Sequence, residues 1–126
     1  MSLRTPLGKV RGLGSAKSGT EHWWMQRVTA IANIPLTIGF IIVLVSLIGA
    51  DHAAVAARLG HPVIVILQLA FIVSITWHMR LGMQVVIEDY VHHEGWKIAC
   101  VVANTFFSAA IAIAGIFAIL KLGFGA

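Results

Sequence analysis

The sequence predicts an all-α membrane protein with three transmembrane helices and an N-terminal cytoplasmic arm, and three observations carry that class. Charged residues are only 11% of the 126 and hydrophobic ones 59%, whereas a soluble domain carries roughly 25% charged residues. Residues 28–50, 63–87 and 98–120 form three long apolar runs, each enough to cross a hydrocarbon core of about 30 Å at about 1.5 Å per residue. The basic residues crowd towards one end, as membrane orientation requires, with no aromatic interleaving along a basic groove to suggest nucleic acid. A lone Cys100 in an apolar run excludes a disulfide framework and a multi-thiolate metal site.

Residues 1–22 form the arm. Arg4, Lys9, Arg11 and Lys17 lie among Gly, Ser and Pro, a composition that buries too little surface to fold alone and suits a flexible or partner-contacting segment. A secretory signal would need an apolar stretch soon after the charges, and residues 12–20 are polar and glycine-rich instead. The membrane unit is residues 23–126. It opens on Trp23, Trp24 and Arg27, aromatic and cationic anchors of a membrane–water boundary. Arg27 either snorkels to headgroups or faces a quinone or propionate within the bundle.

The first span, 28–50, contains no charge, and Asn33 and Pro35 in its early turns read as packing groups or a kink. A short connection follows through Asp51, His52, Arg58 and Gly60. Pro62 then suits the first position of a helix, and the span 63–87 is apolar apart from Gln68, Ser74, Thr76, His78, Arg80 and Gln84. Glu88, Asp89, His92, His93 and Glu94 make an acidic second loop that ends at Trp96 and Lys97. The third span, 98–120, is rich in Ala, Ser108 and Gly115, which allow close helix packing. Three spans put the termini on opposite sides. Arg and Lys number five through Arg27, which assigns the N-terminus and the second loop to the cytoplasmic side.

The functional information concentrates in His78 to Tyr90, HMRLGMQVVIEDY. An ionisable group within a bilayer is costly and usually marks a ligand site or a relay. A six-coordinate b-type haem takes two axial imidazoles, and this chain has one at depth; His22, His52, His61, His92 and His93 fall near boundaries or in loops. A second ligand would come from another polypeptide. Gly82, one turn on, leaves room beside the ligand or simply packs. Asp89 lies eleven residues after His78, within about 20° of the same helix face and ~16 Å along the axis, with Tyr90 beside it as a phenolic donor at the boundary. The spacing suits a redox site below a proton-handling surface.

Arg27-Val28-Thr29-Ala30, Pro35-Leu36 and above all His78-x-x-x-Gly82-Met83-Gln84-Val85 ending in Asp89-Tyr90-Val91-His92 resemble the D-type hydrophobic membrane anchor of succinate dehydrogenase, in its alphaproteobacterial or mitochondrial-like form. The similarity runs from Trp23 through the third span. It implies a subunit of a four-chain complex in the bacterial inner membrane, beside a flavoprotein that oxidises succinate, an iron–sulfur protein and a second, C-type cytochrome b anchor. The two anchors would hold haem b between them and reduce ubiquinone. By the same resemblance His78 would be this chain's axial haem ligand, Tyr90 would bond a quinone oxygen, Asp89 would support that site and its protons, and Arg27 would lie near the quinone or a haem propionate. The chain itself carries no flavin, succinate or iron–sulfur motif and no catalytic residue. Two other readings stay open: an anchor of a fumarate reductase or another cytochrome b module, and a cofactor-free structural or assembly subunit in which His78 only bonds a neighbouring helix.

Overall fold

The computed structural model describes residues 3–12 and 18–125, which form five helices: α1 (Pro6–Val10), α2 (Gly19–Val45), α3 (His52–Leu59), α4 (Pro62–Tyr90) and α5 (Glu94–Gly123). Lys17, counted among the cations of the arm, lies outside the described residues. Within the arm, α1 is a single capped turn: Thr5 Oγ1 accepts from Gly8 N–H at 3.0 Å and Pro6 stands at the first helical position.

Three helices are long and apolar enough to span a membrane: α2, α4 and α5. They exceed the apolar runs because backbone hydrogen bonding continues wherever the chain stays helical, whatever the side chains. α2 begins at Gly19, well before the uncharged run, with Glu21 in its first turn, where an acid complements the positive end of the helix dipole. It passes through Pro35 and stops at Val45 rather than residue 50, because Ser46 Oγ turns back to Val43 O (2.6 Å) and Gly49 takes a left-handed φ of 80°. The later helices start on side-chain caps. Asp51 Oδ1 accepts from Ala54 N–H (2.8 Å) at α3, His61 Nδ1 from Val63 N–H (3.3 Å) at α4, and His93 Nδ1 from Trp96 N–H (3.4 Å) at α5. Pro62 occupies the predicted first position of α4.

α4 is the middle of a row. It packs against α2 on one side and α5 on the other, and α2 and α5 do not touch among the described residues. α3 lies across the end formed by α4 and α5. Gly60 makes that closure possible, since a Cβ there would stand 2.7 Å from Leu122 O. Gly115 does the same along the α4–α5 seam, where a Cβ would meet Ile72 Cγ1 at 2.8 Å. Of the small residues in α5, Ser108 and Gly115 serve this seam, whereas Ala99, Ala103, Ala109, Ala110 and Ala114 face outward.

Burial is inverted relative to a soluble fold. The buried residues among those described are Thr29, Gln68, Thr76, Asn104 and Ser108, with only Leu81 and Ile87 apolar, while Ile31, Ile38, Phe106 and Phe117 are exposed. Lipid tails solvate apolar side chains as well as protein does, so packing and interhelical hydrogen bonds hold such helices together, at about 0.6–2 kcal/mol per bond. Four are in place. Ser74 Oγ donates to Asn33 Oδ1 at 2.7 Å, Thr29 Oγ1 pairs with His78 Nδ1 at 3.0 Å, Asn104 Nδ2 donates to Arg80 O at 2.9 Å, and Gln68 Nε2 donates to Leu59 O at 2.9 Å.

Candidate functional site

His78 stands near the middle of α4, about 24 Å from its start at Pro62 and about 18 Å from its end at Tyr90 at 1.5 Å per residue. Its ring leans on α2. Thr29, buried at 7% exposure, contacts Nδ1 with its hydroxyl oxygen at 3.0 Å. Nε2 has no hydrogen-bond partner among the described residues and is not enclosed by them. One turn further along α4, a Cβ on Gly82 would meet nothing within 4 Å. The face of α4 that carries His78 therefore has an open lane beside the ring, unlike the tightly filled seam at Gly115.

α4 is unbroken from His78 to Tyr90, so Asp89 keeps its place on nearly the same face about 16 Å away. Asp89 and Tyr90 are exposed at the helix end, Tyr90 at 78%, and neither side chain is hydrogen-bonded or ion-paired among the described residues. Glu88, beside them, accepts from Gln84 Nε2 at 2.8 Å. Arg27 is exposed on α2, where its guanidinium carbon lies 5.4 Å from the centre of the Trp23 ring, a cation–π contact one turn apart. It makes no hydrogen bond or ion pair with Asp89 or Tyr90. Of the four candidate site residues His78, Asp89, Tyr90 and Arg27, the fold ties only His78 to a second helix by a hydrogen bond among the described residues.

Two features were not read from the sequence. Thr29 appeared only as part of a short Arg-x-Thr-Ala string, and nothing local reveals that its hydroxyl meets a ring 49 positions away. Arg80 appeared only as an interruption in an apolar span. In the fold it lines a cleft of about 550 Å³ between the start of α2 and the later half of α4, together with Glu21, His22, Gln84 and Glu88. Arg80 Nε and His22 Nε2 are buried without hydrogen-bond partners among the described residues. A full charge inside an apolar run is the signal that could have found this cleft. Arg80 sits about 200° around α4 from His78 at 100° per residue, so the two side chains serve different faces.

Three apolar helices in a row, held by buried polar ties and carrying one histidine at mid-span, define a multi-pass helical membrane subunit. Comparison with known proteins is more specific. The family model described as succinate dehydrogenase/fumarate reductase transmembrane subunit matches residues 1–118. The succinate dehydrogenase hydrophobic membrane anchor subunit of Paracoccus denitrificans is 32% identical over 126 residues, covering 100% of this chain and 97% of that protein. The subunit of the same name from Rickettsia bellii is 32% identical over 121 residues, covering 96% of this chain and 97% of its own. The succinate dehydrogenase membrane anchor subunit of Reclinomonas americana is 36% identical over 92 residues, covering 68% and 73%. No solved structure matches significantly. The chain belongs to the family of succinate dehydrogenase/fumarate reductase transmembrane subunits, and it is a multi-pass membrane anchor of the succinate dehydrogenase type.

Proposed function

We propose that this chain is one of two anchors of a succinate:ubiquinone oxidoreductase, and that it supplies His78 as one axial ligand to a haem b shared with the second anchor. The observation that carries the reading is the state of the His78 ring: Nδ1 is engaged by Thr29 while Nε2 is unpartnered at mid-span. A single imidazole nitrogen left unpartnered by the described residues of its own chain is the donor that a bis-histidine site takes from each contributing chain. The open lane at Gly82 fits a flat macrocycle against α4. Haem bound there supplies a one-electron relay near the quinone site.

Quinone reduction takes two electrons and two protons, so its site needs hydrogen-bond donors at a water-accessible edge. Tyr90 is the donor in this reading, with its phenol free at the end of α4, and Asp89 on the adjoining turn supports proton supply. Arg27 lies near the quinone or a propionate once the partner anchor is present. The N-terminal arm and the Glu88 to Lys97 loop face the cytoplasm of a bacterial inner membrane, where the iron–sulfur subunit delivers electrons that the flavoprotein takes from succinate. An anchor of a fumarate reductase would use the same residues with flux reversed.

The contact between His78 and Thr29 favours a second reading, a cofactor-free subunit in which the histidine only ties α4 to α2. One experiment separates the two. The complex is purified through a tag on this chain, its other subunits are identified, and its reduced spectrum is compared with that of a His78→Ala complex. The haem reading expects a low-spin b-type signal that His78→Ala abolishes; an unchanged signal in the intact variant refutes it.

A further inference from the structure

We infer that Thr29 is the positioning residue of His78: its hydroxyl holds the Nδ1 proton and so fixes both the ring plane and the tautomer that leaves Nε2 free to ligate. This rests on the proposal that His78 is a haem ligand. A threonine hydroxyl has one proton and two lone pairs. In α2 that proton is committed to the helix's own backbone, with Met25 O at 2.8 Å as the nearer acceptor and Gln26 O at 3.2 Å. The third partner of Oγ1, His78 Nδ1 at 3.0 Å, must then be the donor. The network assigns the proton to Nδ1 and the lone pair to Nε2. Thr29 is β-branched, back-bonded and buried at 7% exposure, so few rotamers are open to it and the acceptor stays in place.

A second rung isolates this contact from helix registry. Asn33, one turn after Thr29, accepts from Ser74, one turn before His78, at 2.7 Å. The helices are antiparallel here, and the Asn33–Ser74 bond holds their alignment whether or not residue 29 has a hydroxyl. Loss of the hydroxyl is therefore felt at the ring. An acceptor on the far nitrogen of a ligating imidazole raises its basicity and orients it, and removing such a partner costs about 10–100-fold in metal-site affinity. A more basic ligand favours the oxidised metal, so its weakening raises the midpoint potential.

The test uses the assembled complex carrying Thr29→Val, Thr29→Ser or Asn33→Ala, with His78→Ala beside them. The readouts are haem bound per complex, the midpoint potential from a spectroscopic redox titration, and the g-values of the oxidised low-spin signal. Thr29→Val is expected to lose haem at least tenfold more readily on dilution, with a raised potential and shifted g-values. Thr29→Ser restores the parental values, and Asn33→Ala, whose lost side chain bonds only Ser74 among the described residues, leaves potential and g-values alone. Should Thr29→Val fail to assemble, Thr29→Cys keeps the volume with a weaker acceptor and is read the same way. Parental haem retention and potential in the Thr29 variant, while His78→Ala abolishes the haem, overturn the role of Thr29 and leave the ligand reading intact. Haem that persists in His78→Ala overturns both.

Discussion

Replacing Tyr90 with Phe removes one oxygen from a side chain that is 78% exposed and makes no hydrogen bond among the described residues. Nothing in the fold depends on that oxygen. Tyr90 is the last residue of α4, and the helix end is set by the backbone bond from Val91 N to Ile87 O at 2.9 Å, which Phe retains. The aromatic ring that anchors at the interface is also retained. Assembly and thermal stability of the complex should thus match the parent, and the whole effect should fall on the reaction. A donor aimed at an oxygen that gains negative charge accelerates a reaction by about 10²-fold or more when water is excluded, so succinate oxidation coupled to a ubiquinone analogue should slow by that order. Oxidation coupled to an artificial acceptor that takes electrons before the quinone should be retained. Equal quinone reductase activity in variant and parent would refute the donor role and leave Tyr90 an interface anchor.

Three further outcomes test other parts of the account. Gly82→Leu extends into the open lane one turn from His78 from a Cβ that meets nothing within 4 Å among the described residues, so the complex should assemble with most of its b-type absorbance gone; full absorbance would place the haem elsewhere. Gly115→Ala puts a methyl 2.8 Å from Ile72 Cγ1 and should destabilise the α4–α5 seam by about 1–3 kcal/mol, as overpacking does, seen as faster thermal inactivation in detergent. A cysteine in place of the exposed Glu94, in a Cys100→Ser background, should react with an impermeant reagent only in inverted vesicles, and labelling of intact spheroplasts would reverse the topology.

Most of the architecture was legible because partitioning into a bilayer is a property of each residue in turn. Scarcity of charge located the spans, Pro62 marked the start of α4, and the lone mid-span histidine announced itself by the cost of burying it. Helix ends were less legible. Gly19 to Arg27 is helical without being apolar, and the turn at Ser46 to Gly49 ends α2 inside an uncharged run, so hydropathy places neither boundary. What only the tertiary structure decided was partnership: α4 stands between helices that do not meet, Gly115 rather than its neighbouring alanines takes the close contact, and Thr29 faces His78. Residues 29 and 78 are 49 positions apart, and which face of one helix meets which face of another depends on rotation and register. Those are set by the packing of whole helices and the few polar bonds between them, and no window of the sequence contains them.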